Sequence, residues 1–248
     1  MAKNQNPPRW LLLPYAAWAC GVFLLLGLTV LLLILPVPWL SLRRRMARGA
    51  ARLVLRACWM PLQVRHLENL PATPCVVVAN HASYLDGVVL FAALPPSFGF
   101  VIKREVSNIP LANLLLRRIG SHFVARDSGH KGARDTRKLL KRAHAGGALA
   151  FFPEGTFQLQ PGLAAFRSGA FAIAARTQLP IVPVAIRGTR AALPANSFMP
   201  RPGRISVELA PPLAPPASTA SEDLGAARRA ARRAILARID EADLAPQD

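Results

Sequence analysis

The alternation of short apolar runs with helical patterns predicts an α/β domain in the middle of the chain. Seven short apolar segments, each bounded by Gly, Pro or polar residues, are predicted strands. They are Leu62–His66, Cys75–Ala79, Phe98–Ile102, Ser121–Val124, Ala148–Phe152, Ile181–Ile186 and Arg204–Leu209. The predicted helices between them are Tyr84–Ala93, Pro110–Arg118, Lys131–Ala145 and Ser168–Gln178. Because 74–79 is apolar at nearly every position, we expect a sheet that helices cover on both faces.

The N-terminal segment, residues 1–42, contains an uninterrupted apolar stretch. No charged residue occurs from Tyr15 to Leu35, and about 20 apolar residues are enough to cross a bilayer. A secretory signal is the rival interpretation, but its apolar core is typically ~7–15 residues long and ends near a small-residue cleavage site. We therefore predict a retained transmembrane helix. Five arginines follow the stretch closely, at 43, 44, 45, 48 and 52, which predicts a single-pass protein with its domain on the cytoplasmic side.

Residues 43–60 form a predicted amphipathic helix. Arg45, Arg48, Arg52 and Arg56 recur at spacings of three and four, so they share one helix face. Two interpretations fit this periodicity equally. The helix lies on a membrane with its arginines at anionic head groups, or it packs on the domain with a solvated basic face.

The predicted α/β domain covers residues 61–210, and a separate segment, 211–248, follows it. Residues 211–216 are rich in proline and are expected to form a stiff linker. A basic helix is predicted to begin near Ser221, with Glu222 and Asp223 in its first turn. Pro183 lies inside the strand predicted at 181–186, which implies a sheet edge, a bulge or a strand start.

Charge and composition narrow the classes of partner. The net charge of +18 points to an anionic partner, such as phosphate groups or a lipid surface. No nucleic-acid-binding module is recognisable, and only two tyrosines are present to stack on bases, so we expect no nucleic-acid partner. No Gly-x-Ser-x-Gly elbow of a serine hydrolase occurs. The three cysteines, Cys20, Cys58 and Cys75, are too widely spaced for a metal or redox motif.

The segment directly after the second predicted strand is a candidate catalytic site. Asn80 and His81 begin it, and Asp86 follows five positions after the histidine. An imidazole can abstract a proton near neutral pH if a carboxylate fixes its tautomer and stabilises its charge. The alternative is a capping box in which Ser83 and Asp86 serve the backbone N–H groups at the start of a helix.

Three more segments follow at intervals that bring strand ends together in an α/β sheet. The first, 120–126, ends in Arg126, whose planar guanidinium can bind a phosphate. The second is the run Phe152-Pro153-Glu154-Gly155-Thr156, where an apolar strand stops and glycine allows close approach of the backbone to a ligand. The third is the apolar run 180–184, Pro-Ile-Val-Pro-Val.

Taken in this order, the four blocks resemble the glycerolipid acyltransferase family, whose best-known members are the 1-acyl-sn-glycerol-3-phosphate acyltransferases. The family's blocks are Asn-His-x4-Asp, a Gly-x-x-Phe-type strand ending in Arg, Phe-Pro-Glu-Gly-Thr and Pro-Ile-x-Pro-Val. The resemblance covers roughly residues 62–209. It implies a mixed, mostly parallel sheet flanked by helices.

The resemblance also implies a reaction and a role for each site residue. His81 is the general base and Asp86 holds it, while the acyl group comes from acyl-CoA or an acyl-carrier protein. The acceptor is a lysophospholipid within the membrane, and neither a cofactor nor a metal is needed. Acceptor-binding residues are expected at Arg126, Glu154, Gly155 and Thr156, and supporting residues at Asn80, Lys103, Phe152, Pro153 and Arg167.

One position departs from the family pattern and leaves the acceptor open. Many members have Arg-Ser after Phe-Pro-Glu-Gly-Thr, whereas this chain has Phe157-Gln158. The expected acceptor is 1-acylglycerol-3-phosphate, giving phosphatidic acid. Lysophosphatidylglycerol and a lyso-aminolipid are the alternatives. A hypothesis of another class is a non-catalytic membrane protein that binds anionic lipid.

Overall fold

A seven-stranded sheet forms the centre of the protein in the computed structural model, which describes residues 9–125 and 130–245. The strands are β1 (Leu62–Arg65), β2 (Val76–Ala79), β3 (Gly99–Lys103), β4 (His122–Val124), β5 (Leu149–Phe151), β6 (Ile181–Arg187) and β7 (Ile205–Leu209). Their order across the sheet is β1-β7-β6-β2-β5-β3-β4. Each lies within one residue, at both ends, of a strand predicted from the sequence.

The sheet is mixed and mostly parallel, as expected. Strands β2 to β6 run in one direction, β7 pairs antiparallel with β6, and β1 pairs parallel with β7. The chain leaves β2 toward β3 on one side and returns to β6 on the other. The carboxyl ends of β2 and its neighbours therefore form the crevice where open α/β sheets bind ligands.

Helices cover both faces of the sheet. They are α1 (Arg9–Ile34), α2 (Leu40–Ala57), α3 (Leu85–Ala93), α4 (Pro110–Arg118), α5 (His130–His144), α6 (Gly169–Thr177), α7 (Thr189–Ala192) and α8 (Ser221–Leu236). Alternate residues of β2 point to opposite faces, so Val77 packs with α2 and α3 while Val76 packs with α5, α6 and α8. All four β2 residues are completely buried, which explains their apolar run.

Helix α1 is long and apolar enough to cross a membrane, and it also packs against the domain. At its N-terminal end, Tyr15 and Trp18 donate side-chain hydrogen bonds to the carbonyls of Cys58 and Ala57. At its C-terminal end, the Arg118 guanidinium bonds the carbonyls of Ile34 and Leu35. Among its other side chains, the helix exposes seven large apolar ones: Leu13, Phe23, Leu24, Leu25, Leu28, Leu32 and Leu33.

Helix α2 packs on α1 and α3, with one of its arginines inside the protein. Arg44 is 3% exposed and donates to the carbonyls of Pro96, Ser97, Ile119 and Gly120. Burial lowers the pKa of Arg44 to about 10. Two further arginines of this helix, at 48 and 52, bond carbonyls at the end of α3. These contacts match the interpretation in which the helix packs on the domain, and a membrane role for its exposed face stays a prediction.

Pro183 lies in an interior strand, and a bulge accommodates it. Val184 pairs with Leu209 and Ile181 pairs with Leu213, so three steps along β6 oppose four steps along the partner segment. Pro183 has no N–H to donate, and it lies within this irregular stretch of pairing. The Pro183 carbonyl still accepts a hydrogen bond from the N–H of Ala210. The bulge is one of the three situations expected for this proline.

The C-terminal segment packs into the same core as the sheet. Leu224, Ala231 and Ile235 of α8 are buried with α6 and β6, and Leu213 of the proline-rich stretch bonds Ile181 in both directions. The proline-rich segment therefore runs along the domain. The division of the chain at residues 42, 60 and 210 stays a prediction.

Candidate active site

The segment that carries the catalytic candidates is fixed where β2 ends. The Asn80 amide donates to the carbonyl of Ile186 at 2.9 Å and accepts from its N–H at 2.7 Å. This pair of bonds ties the residue after β2 to the end of β6. Because Asn80 is buried, the direction in which the chain leaves the sheet toward His81 is set.

His81 and Asp86 form a hydrogen-bonded pair. The distance from His81 Nδ1 to Asp86 Oδ2 is 2.8 Å, and Asp86 is completely buried. A carboxylate can only accept, so Nδ1 carries the proton and Nε2 keeps its lone pair. The imidazole is therefore a base whose tautomer and orientation are set by its neighbour.

The capping interpretation of this segment is compatible with the catalytic one, which stays a prediction. Asp86 Oδ2 also accepts the backbone N–H groups of Ala82 at 2.5 Å and Ser83 at 2.8 Å. Ser83 Oγ accepts from the N–H of Leu85 and donates to the carbonyl of Leu193. The turn before α3 is thus held by the same carboxylate oxygen that orients the imidazole.

Glu154 lies behind the imidazole and braces it through the backbone. Its Oε1 accepts the N–H of His81 at 2.6 Å, and its Oε2 accepts the N–H of Ala164 at 2.9 Å. Burial raises the pKa of Glu154 to about 7, against the lowering effect of these two bonds. Glu154 was expected to bind the acceptor, but both oxygens of this 7%-exposed side chain contact the main chain.

Aromatic rings surround the imidazole on two sides. Phe152 stacks on His81 with ring centroids 4.4 Å apart, and Phe157 meets it edge-on at 4.8 Å. Tyr84 contacts Phe157 at 4.6 Å and Phe198 at 6.5 Å. We call Tyr84, Phe157 and Phe198 the aromatic cluster. The sequence placed Phe157 at the site through its departure from the family pattern, but Phe198 lies outside every motif and gave no signal.

A cavity of about 140 Å³ opens beside Phe152. Lys103 and Arg167 line it, together with Pro153 and Gly155. Both supporting cations predicted from the sequence therefore lie at one cavity with the Phe-Pro-Glu-Gly-Thr turn. Positive φ at Gly155, +86°, favours glycine at this turn.

Thr156 and Arg126 are the other two residues that were predicted to bind the acceptor. Thr156 is exposed beside the turn. Arg126 lies outside the described residues. Within 9–125 and 130–245, no group of three or more His, Cys, Asp and Glu side chains could hold a metal ion.

The loop after Glu154 is fastened by the C-terminal tail. The N–H of Gly162 donates to Glu241, and Leu163 exchanges backbone bonds with Ala242 and Leu244. Arg190 forms an ion pair with Glu241, with 2.8 Å between Nε and Oε1. Because this loop also carries Ala164, which bonds Glu154, the tail contributes to the support of the imidazole.

Comparisons with known proteins agree with the resemblance read from the four blocks. The family model described as Acyltransferase matches residues 61–187. A chloroplastic 1-acyl-sn-glycerol-3-phosphate acyltransferase of Brassica napus is 34% identical over 136 residues, which are 54% of this chain and 39% of that protein. A lyso-ornithine lipid O-acyltransferase of Pseudomonas aeruginosa is 35% identical over 180 residues, 68% of each chain.

A solved structure supports the fold. The 1-acyl-sn-glycerophosphate acyltransferase PlsC of Thermotoga maritima matches with a TM-score of 0.73 and 23% identity, over 91% of this chain and 92% of that one. The chain spans about two fifths of the length of the Brassica protein.

Proposed function

Because the chain belongs to the acyltransferase family, we propose that it transfers a fatty acyl group from an acyl thioester to the free hydroxyl of a lysolipid. The observation that carries the proposal is the bond between His81 Nδ1 and Asp86 Oδ2, which leaves Nε2 as a base. The first candidate acceptor is 1-acylglycerol-3-phosphate, and its product is phosphatidic acid. Acyl-CoA and acyl-carrier protein are both proposed as donors.

The proposed reaction needs one proton carrier. Nε2 of His81 takes the proton of the lysolipid hydroxyl while its oxygen attacks the thioester carbonyl carbon. The carbon–sulfur bond then breaks, and the thiolate leaving group takes the proton from the imidazolium. Asp86 stabilises the imidazolium between these steps, and such proton transfer contributes typically ~10²–10⁴-fold to the rate.

The cavity at Lys103 and Arg167 is the proposed site for the anionic part of the acceptor. Two cationic side chains at one cavity suit a phosphate or a carboxylate, and one of them, Lys103, also pairs with Glu105 at 3.2 Å. Gly155 and Thr156 lie at the same turn, and we keep Arg126 as a further proposed ligand. Glu154 is reassigned as a positioning residue because its carboxylate is occupied by the N–H groups of His81 and Ala164.

A second candidate acceptor is a lyso-aminolipid. Phe157 occupies the position where many family members carry an arginine, so one cation is missing beside the imidazole. The lyso-ornithine lipid O-acyltransferase also aligns with a larger share of its own length than the Brassica protein does. Both observations favour an acceptor with less negative charge than a phosphate monoester.

Membrane attachment is the role we propose for α1. Its exposed apolar face suits contact with lipid hydrocarbon, and the arginines after it favour the cytoplasmic side for the domain. A single crossing of the membrane was predicted from the sequence. However, both ends of α1 bond the domain, so we propose attachment along the exposed face. In a chain whose Cys20 is replaced, cysteines at Leu13 and Ser41 should both react with a cytoplasmic thiol reagent. Labelling of only one would support the crossing.

The test of the enzymatic proposal uses membranes that contain the full chain. They are incubated with a panel of lysolipids and either labelled acyl-CoA or acyl-carrier protein, and the products are identified by mass spectrometry. Wild type should yield a diacyl product from at least one acceptor, and His81→Ala should yield none above background. His66→Ala is the matched control, because His66 is exposed and its side chain hydrogen-bonds Glu68. Equal activity of His81→Ala and wild type would refute the proposal.

A further inference from the structure

The aromatic cluster presents ring surface to solvent directly beside the imidazole. The side chains of Tyr84 and Phe198 are 58% and 86% exposed, and Phe157 links Tyr84 to His81 through two edge-on contacts. The only arginine–ring contacts among residues 9–125 and 130–245 are at Phe123 and Phe166. No cation of the described chain therefore covers the rings of the cluster.

The imidazole lies between this cluster and the cationic cavity. Phe152 stacks on His81 and also lines the cavity with Lys103 and Arg167. Phe157 contacts the same imidazole from the side of the cluster. A head group that spans the site thus meets cations at one end and π-electron faces at the other.

These two ends select for opposite charges. The face of an aromatic ring is negative, so it attracts an ammonium group and repels an anion. Guanidinium and ammonium side chains attract a carboxylate or a phosphate. A phosphate monoester acceptor fills the cationic end alone. An amino-acid head group, with one carboxylate and one ammonium, matches both ends.

We propose that the aromatic cluster binds the ammonium group of a zwitterionic amino-acid lysolipid while Lys103 and Arg167 bind its carboxylate. The inference rests on the proposed acyl transfer and names the class of acceptor. Phe157 is then the residue that determines specificity, because it supplies a ring face at the position where a cation would favour a phosphate monoester.

The experiment separates ring electrostatics from simple apolar contact. Tyr84→Leu, Phe157→Leu and Phe198→Leu each keep an apolar side chain but remove the ring. The acceptors are an N-(hydroxyacyl)ornithine, the same compound with its side-chain amine acetylated, and 1-acylglycerol-3-phosphate. For each, kcat/KM is measured with the full chain in membranes. Leu159→Ala is the control, since Leu159 is an exposed apolar residue two positions after Phe157.

We expect each leucine variant to lower kcat/KM for the free-amine acceptor about 5- to 30-fold, the range of a cation–π contact. The acetylated acceptor and 1-acylglycerol-3-phosphate should change less than 2-fold. Phe157→Arg should reverse the preference of the wild type, with a gain on 1-acylglycerol-3-phosphate. Phe198→Leu serves if the Phe157 variants do not fold, because Phe198 is almost wholly outside the core.

Two results would overturn the inference. One is an equal change on all three acceptors, which would make the cluster an apolar contact for acyl chains or the bilayer. The other is no loss on the free-amine acceptor. Either leaves the proposed function intact if the wild type still acylates 1-acylglycerol-3-phosphate. If the wild type acylates no lysolipid at all, the proposed function itself fails.

Discussion

The turn of the candidate active site and helix α1 depart from the ordinary distribution of residues in opposite directions. At the turn, Asn80, Ser83, Asp86 and Glu154 are polar and buried. Along α1, eight large apolar side chains are exposed among the described residues. Polar groups are seldom buried without partners, and large contiguous apolar patches are rare on soluble surfaces.

The two regions differ in what their unusual side chains contact. Those at the turn bond the backbone, whereas those of α1 suit contact with lipid. Each of the buried side chains at the turn hydrogen-bonds the backbone, and Asp86 Oδ2 also bonds the imidazole, whereas Asp86 Oδ1 has no partner among the described residues. The exposed leucines of α1 present apolar surface that suits contact with hydrocarbon. A general base needs exact positioning of its ring, whereas contact with lipid needs only apolar area.

The largest expected effect comes from Asp86, the buried carboxylate at the turn. Asp86→Asn replaces an oxygen that accepts from three N–H groups, and an amide can present its NH₂ group to His81 and fix the wrong tautomer. We expect kcat to fall about 10³-fold, within the range for loss of general-base catalysis. Initial rates with saturating acceptor measure it. A loss smaller than 10-fold would show that Asp86 serves the backbone alone.

The second prediction concerns Arg44, the arginine of α2 whose side chain is buried. Arg44→Met removes donors from four backbone carbonyls, of which those of Pro96, Ile119 and Gly120 belong to buried or half-buried residues. We expect the free energy of unfolding to fall by about 3 kcal/mol. Denaturant titration in detergent measures it, and Arg45→Met, at an exposed neighbouring position, is the control.

The third prediction tests whether the exposed apolar side chains of α1 bind the membrane. Leu24→Asp places a carboxylate on the outer face of α1, where the side chain is 67% exposed. A carboxylate in hydrocarbon costs about 3 kcal/mol, so membrane binding should weaken about 100-fold, while activity on detergent-dispersed acceptor is retained. Sedimentation with vesicles measures the binding. Leu24→Met, which stays apolar, should bind like wild type.

The smallest expected effect on kcat comes from Glu154, whose carboxylate supports His81 through the backbone. Glu154→Gln keeps one acceptor oxygen and loses the other, so one of the two N–H groups, of His81 or Ala164, loses its partner. Loss of one such bond predicts a decrease of about 10-fold in kcat. Glu154→Ala should lower kcat further, and unchanged kinetics in both variants would remove Glu154 from the support of the imidazole.

The same residue makes stability depend on pH. The folded-state pKa of about 7 lies above the ordinary value of 4.5, so the folded protein binds the proton more tightly than the unfolded chain does. The contribution of Glu154 is therefore most favourable below pH 4.5 and declines until pH 7. Wild type should lose more stability than Glu154→Gln across this interval, as thermal melts in matched buffers will measure.

Local pattern predicted the elements well and their neighbours less well. Each strand was recognisable because an apolar run ends at Gly, Pro or a polar residue, as at the turn after Phe152. The order of the strands depends on pairings between distant segments, which periodicity does not encode. The burial of Arg44 was unforeseen for the same reason, since its four acceptors lie between residues 96 and 120.

The contact between His81 and Asp86 was predictable, because few roles suit a histidine and an aspartate at this spacing. His81 and Asp86 have five-residue spacing and a strand before them, and the structure brings them into contact. Glu154 was assigned to the acceptor because a carboxylate in a loop can bind either a ligand or backbone N–H groups, and sequence does not distinguish the two. Phe198 contacts the cluster from a loop more than 40 residues later in the chain than Phe157, which only folding reveals.

The fastening of residues 162–163 by Glu241 and Ala242 has a practical side for anyone who makes this protein. Removing residues 240–245 to obtain a shorter product would release a loop that touches the brace of the imidazole, although these residues lie about 160 positions after it in the chain. Such a shortened enzyme should express and bind lipid yet turn over slowly. An affinity handle is better appended beyond Ala245 than exchanged for the final ten residues.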